Sequence, residues 1–302
     1  MRNHLRRIRK ALLLGCLIPL QAALPAYGNQ EQPISQPSSG ESISVDEIVD
    51  RTNRVAYYQG ADGRAQVSMV IVDSQGRKRR REFTIIRRDQ PKPGAEESEP
   101  QDRAKDHSKA EEFCGEQKFY VYFHRPADVN KMGFLVWKHL DTDDDRWLYL
   151  PALDLVKRIS SADKRTSFVG SHFFYEDVSG RHIDEDTHEL VETSKNYYVL
   201  KNTPKNPKGV EFSYFTMWIH RGSFTVVKTE YYDGQGKNYR VYEAKEVRTI
   251  QGYPTVTKAR MTDLRTKGYT DMEYKDVRYN IGLPESVFSE RYLRRPPIKY
   301  LK

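Results

Sequence analysis

The chain has 302 residues, 30% charged and 37% hydrophobic, with two cysteines and a formal net charge of +8. Five of those positive charges fall in the first 28 residues, so the 274 that follow carry only +3, and nucleic-acid binding is not supported. Only Cys114 lies beyond residue 28, which excludes an intramolecular disulfide framework and leaves burial to stabilise a single β-rich domain.

The N-terminus reads as a secretion signal. Arg2, Arg6, Arg7, Arg9 and Lys10 form a basic start without an acid, Ala11 to Ala23 is an apolar core, and Ala26-Tyr27-Gly28 offers small residues for cleavage after Gly28. The core is short and interrupted by Pro19, with Pro25 just beyond, unlike a membrane span. Leu14-Gly15-Cys16 offers a lipoprotein anchor at Cys16 instead. The apolar run is short before that cysteine and continues past it, so a free periplasmic product is preferred. Residues 29–43 are rich in Pro, Gln and Ser and read as a flexible lead.

Ser44 with Glu47 three residues on is a capping box, and Ile43 and Ile48 suit a hydrophobic staple. Val45, Ile48, Val49, Thr52, Val55 and Ala56 then repeat at helical spacing, which predicts an amphipathic helix to about Tyr58. From Arg64 the period changes to two, and Gln75-Gly76 turns the chain into a second strand at Arg79–Arg87. Residues 89–116 are polar, of mixed charge and without periodicity, which predicts a disordered insertion. Strand-like runs follow at 117–124, 133–140, 146–150, 155–159, 172–177, 187–193, 196–202, 211–220, 223–232, 238–249, 254–262 and 268–279. Their connections are short, with Asp233-Gly234 a hairpin signal, and short turns join antiparallel strands. Pro284 to Leu293 reads as a short terminal helix or turn. The expected fold is mainly β, an antiparallel sheet curved into an open barrel and closed by helices.

No catalytic constellation emerges. Asp141 to Asp145 begins like a calcium loop but has Arg146 where Gly is needed and Ala152 where a bidentate Glu is needed. His172, His182 and His188 lie near acids but lack metal-ligand spacing. Gly170-Ser171 is not a nucleophile elbow, and no glycine-rich phosphate loop is present. The pattern calls for neither catalytic residue, metal nor cofactor, and a binding protein is expected in place of an enzyme.

The stretch from Asp145 to Asp177 places large or amphipathic side chains on both strand faces, as at Trp147, Leu148, Tyr149 and Leu150. Such strands suit either a doubly covered sheet or the wall of an apolar cavity. The runs W-L-Y-L-P-A-L, V-K-R-I and F-V-G-S-H-F-F-Y-E-D resemble the LolA-like family of outer-membrane lipoprotein-sorting proteins. The likeness extends through Phe123–Val129, Gly133–Trp137, Glu230–Lys237, Ile250–Thr255 and Phe288–Leu293. It implies a single open half-barrel over 44–302 with an N-terminal helix and short helices as a lid. It also implies a cavity for lipid or lipoprotein acyl chains, and service to an inner-membrane transporter. An accessory transporter subunit without its own ligand and a lipid-acting hydrolase are the competing readings. Trp137, Trp147, Tyr149, Leu150, Phe168, Phe174 and Trp218 are the candidate cavity residues. Lys157, Arg158, Lys164 and Arg165, set beside aromatic strands, are candidates for a lipid head group or partner, with edge protection as the plainer role.

Overall fold

The computed structural model describes residues 43–90 and 115–302; the signal, nearly all of the lead, and the body of the insertion lie outside the described residues, as do both cysteines. Helix α1 (Val45–Tyr57) precedes thirteen strands. These are β1 (Asp62–Val72), β2 (Lys78–Asp89), β3 (Gln117–Arg125), β4 (Gly133–Lys138), β5 (Asp145–Leu150), β6 (Leu155–Arg158) and β7 (Asp186–Thr193). The series continues with β8 (Tyr197–Pro204), β9 (Tyr214–His220), β10 (Val226–Tyr232), β11 (Asn238–Ile250), β12 (Tyr253–Asp263) and β13 (Gly268–Tyr279). They form one antiparallel sheet in the order β6-β5-β4-β3-β2-β1-β13-β12-β11-β10-β9-β8-β7, which does not close into a barrel.

Every spatial neighbour is also a sequence neighbour except β1 and β13, which pair along Val67↔Tyr274, Met69↔Met272 and Ile71↔Thr270. The sheet is therefore two meanders joined at their middle, and β6 and β7 are its opposite edges. Residues 159–185, which connect those edges, have to cross the sheet and do so over one face, here called inner. Phe168, Phe173 and Tyr175 from this crossover pack on Phe83, Phe123, Phe134, Leu148 and their neighbours, with Phe168 fully buried. The run 172–177, expected as a strand, forms a single bridge (Ser167↔Phe174) and a short helix, Tyr175–Ser179. It has apolar side chains at strand spacing but no free sheet edge beside it, so its backbone closes on itself.

At the other end of the inner face α1 supplies the cover. Its start is capped as the sequence predicts, with the Glu47 amide donating to Ser44 Oγ at 3.1 Å. Ile48 and Val49 pack on Tyr198, Leu200 and Ile219 of β8 and β9. Its C-terminal end is tied down by Gln117 Nε2, which donates to the Tyr57 carbonyl at 2.7 Å, and by Gln59 Nε2, which donates to the Pro254 carbonyl at 2.8 Å.

The outer face of β2 to β5 is covered by the C-terminal segment, which forms turns at Glu285–Phe288, Arg291–Arg294 and Ile298–Leu301. Leu283, Val287, Phe288, Leu293 and Leu301 pack on Ile86, Tyr120, Leu135 and Trp147. Hydrogen bonds register this segment: Tyr120 Oη donates to the Tyr292 carbonyl at 2.8 Å, and Thr84 Oγ1 to that of Leu301 at 2.9 Å. Trp147 is 8% exposed in this cluster. Replacing it with alanine should therefore lower unfolding free energy by about 3–5 kcal/mol. Urea denaturation measures this, and binding of an apolar fluorophore by the folded fraction should be unchanged.

Candidate functional site

Between the crossover and α1 the inner face remains uncovered, and the gap is a cavity of about 440 Å³. Its floor is built from inward positions of successive strands, including Ala65, Phe83, Phe215, Met217, Met261 and Met272. Val49, Val55 and Ala56 of α1 form the opposite wall. Both chemistry and size suit an apolar ligand, since ligand sites run about 300–1,000 Å³.

One end of the cavity is bounded by a buried ionic network on the crossover. Glu176 sits at its centre, 2% exposed, with Arg165 Nη1 at 2.5 Å, Lys164 Nζ at 3.0 Å and Arg181 Nη1 at 3.4 Å. Arg165 also makes a bidentate pair with Glu211, and Arg181 one with Asp186. Arg240 of β11 pairs with Asp177 and donates to the His172 carbonyl at 2.9 Å. Burial alone would raise the Glu176 carboxyl, but Arg165, Lys164 and Arg181 together hold it down at about 2. The Glu211 carboxyl, likewise raised by burial, is brought below its ordinary range by Arg165. Beside this network Lys138 is buried and donates to the carbonyls of Ser179 and Gly180 at 3.1 and 2.9 Å, and desolvation drops its ammonium to about 8. Gly180, at φ +84°, lets the Tyr57 ring approach to within 2.5 Å of where a Cβ would stand. No other residue fits there, and α1 would be pushed off the crossover.

The histidines near this end are engaged within the protein. His182 Nε2 lies 2.8 Å from Asp144 Oδ1, and His188 bonds Asn202 and the Ile183 carbonyl. Asp144 in turn pairs with Arg146 at 2.5 Å, so the acidic turn is held by a buried cation. Among the described residues no group of three or more metal-binding side chains comes together, and no helix is long and apolar enough to cross a membrane.

The sequence candidates are dispersed. Trp137 stands edge-on to Trp147 at 5.0 Å on the outer face, with its indole Nε1 donating to the Phe288 carbonyl at 2.7 Å. Tyr149 is on the same face and donates to Asp154 at 3.2 Å. Leu150 packs on the inner core, and Phe168 is its centre. Phe174 lies under the guanidinium of Arg240 at 3.9 Å, and Trp218 under Lys228 Nζ at 4.6 Å. Lys157 and Arg158 are exposed on the edge strand β6, where Arg158 pairs with Asp145. Lys164 and Arg165 belong to the buried network, and of all eleven candidates Arg165 alone borders the cavity. The lining residues the sequence reading passed over include Tyr57, Tyr231, Tyr242 and Tyr274. Alternation puts Tyr242 with Ala244 and Met272 with Tyr274 on shared faces, but only the assembled sheet says which face is inward.

A family model whose description reads "Uncharacterized protein" matches residues 115–295, more than half of the chain, and the chain belongs to that family. No curated protein matches it. Among solved structures, a DUF1329 family protein from Desulfovibrio piger is 27% identical, covering 82% of this chain and 98% of that one, with a TM-score of 0.69. An outer membrane lipoprotein-sorting protein domain from Vibrio parahaemolyticus is 26% identical, covering 82% and 97%, with a TM-score of 0.67. A LolA superfamily protein from Nitrosomonas europaea shares the fold at 17% identity, covering 83% and 100%, with a TM-score of 0.59. The fold is LolA-like, as the sequence resemblance implies.

Glu176 makes a pH prediction. Its carboxyl is held at about 2 in the folded chain against an ordinary 4.5, so it stabilises the fold above pH 4.5. That contribution is lost as pH falls from about 4.5 through about 2. Glu176→Gln should cost about 3–5 kcal/mol at pH 7 by leaving buried cations short of a partner. Denaturant titrations of both proteins should converge as pH approaches 2.

Proposed function

We propose that this protein is a periplasmic carrier that holds lipid, or the acyl chains of lipoproteins, in the cavity beneath α1, and that it is not an enzyme. The apolar gap of about 440 Å³ carries this reading. A packed core would have closed it, because interiors tolerate few voids larger than a water molecule. A buried acyl chain gains ~0.8 kcal/mol per CH₂, so about ten carbons contribute roughly 8 kcal/mol. Three further observations support the reading: the basic, apolar N-terminal leader, the LolA-like fold, and a relative described as an outer membrane lipoprotein-sorting protein domain. The polar groups at the cavity end are paired with one another, and among the described residues no serine or cysteine lines the cavity beside His182 or His188. That arrangement favours retention over hydrolysis. An inner-membrane transporter is the expected source or recipient of cargo.

Native mass spectrometry of protein exported in bacteria and purified without detergent tests the proposal. One lipid or acylated species per chain is the expected result. Fatty acid accumulating over hours from an added diacyl lipid would indicate a hydrolase, and neither lipid nor turnover would leave a docking module.

A further inference from the structure

Besides the ionic network at one end, the largely apolar cavity wall carries a group of four tyrosines. Tyr57 comes from α1, Tyr231 from β10, Tyr242 from β11 and Tyr274 from β13, and all four border the same space. The Tyr231 ring is fixed by stacking on Phe215 at 5.4 Å, and Tyr57 by its contact with Gly180. Among the described residues the hydroxyls of Tyr57, Tyr231 and Tyr242 have no hydrogen-bond partner, and Tyr274 has only the weak acceptor Met272 Sδ at 3.3 Å. Nearby, Thr52 Oγ1 on α1 and Gln59 Oε1 are buried without a partner. The four rings are half-buried, and a phenol hydroxyl that borders a cavity without a protein acceptor is left to donate to whatever occupies that space. Four phenols from four elements border one space and are placed to donate to a single occupant.

The charge of that something follows from the rest of the wall. At the ionic end and beside α1 the lining cations are paired: Arg87 with Asp89, Arg165 with Glu176 and Glu211, Arg181 with Glu176, Glu185 and Asp186. Arg64 borders the far end, but it pairs opposite Ile86, whose side chain packs under the C-terminal segment on the outer face. An anionic group at the ionic end would thus meet the carboxylates of Glu176, Asp177 and Asp186, whose neighbouring cations are already paired. Burial raises all four phenols, Tyr231 and Tyr274 to about 12 and the other two further, so they keep their protons and donate.

We propose that Tyr57, Tyr231, Tyr242 and Tyr274 form a donor belt for the uncharged carbonyl oxygen of an acyl ester, whose hydrocarbon fills the remaining apolar space. The proposal rests on the carrier reading and adds to it that the cargo enters the cavity past its first ester, not as a bare hydrocarbon tail or a free fatty acid. Displacement of the fluorophore N-phenyl-1-naphthylamine by dodecane, methyl dodecanoate and dodecanoate tests it on wild type and on Tyr231→Phe/Tyr242→Phe, which keeps both rings. The double variant should lose about tenfold affinity for the methyl ester and less than twofold for dodecane. Wild type should prefer the methyl ester to dodecanoate. If the double variant does not fold, each single phenylalanine variant should lose about threefold for the ester alone.

Equal affinities of variant and wild type for the ester would overturn the belt and leave the carrier reading standing. Tighter binding of dodecanoate than of the ester would overturn the assignment of a neutral group. No displacement by any of the three from wild type would overturn belt and carrier together. Glycerolipids and lipoproteins both carry acyl esters, so loading from phosphatidylethanolamine vesicles and from a synthetic diacylglyceryl-cysteine peptide distinguishes the source. Loading from either, reduced in the double variant, supports the belt; loading from neither overturns it.

Discussion

The fold turns on one connection. The strands at either end of the thirteen-stranded sheet, β6 and β7, are consecutive in the chain, so 27 residues (159–185) have to link opposite edges. A flat sheet of that width would span roughly 58 Å at ~4.8 Å per strand. About half of the crossover is in short helical turns, which advance only ~1.5–2 Å per residue, and its apolar side chains pack on the inner face along the way. The sheet curls around its own connection. The crossover then serves as half of the inner core, and the other half is left to α1.

This arrangement explains why the charged residues of the crossover are buried. Main-chain turns inside a curled sheet need partners that strands cannot give, and Lys138, Arg240 and Arg165 supply them or fix the side chains that do. Glu176 gathers three cations where desolvation would penalise any one of them alone. The buried ion pairs are concentrated at that end. α1 meets the sheet through a small apolar cluster and a few hydrogen bonds at its C-terminal end, and the space between it and the floor is where a ligand can be held.

Most of the architecture was legible in the sequence. The period of two from Arg64 onward, the short turns and the Ser44 cap correspond to β1 to β13 and α1 with small shifts at their ends. The exception, 172–177, is instructive because its residues have strand character but its position, inside the sheet, has no ladder to join. The candidate site was much less legible. Trp137 and Trp147 are conspicuous in the sequence because they are large, yet they pack edge to face beneath the C-terminal segment. Lys164 and Arg165 read as surface cations and are held in the buried network by Glu176, Glu185 and Glu211.

Sequence alone determined the alternation of each strand, the antiparallel order within each meander, the amphipathic helix and the kinship with LolA-like proteins. These depend on neighbours a few residues apart, or on many short runs kept in order. Which face of each strand turned inward was decided only by the tertiary structure. A period of two is the same whichever way the sheet curls, and the curl is set by the crossover and by the β1–β13 pairing, contacts some 200 residues apart. Tyr57, Tyr231, Tyr242 and Tyr274 share a cavity for that reason, and nothing local to any one of them could have announced it.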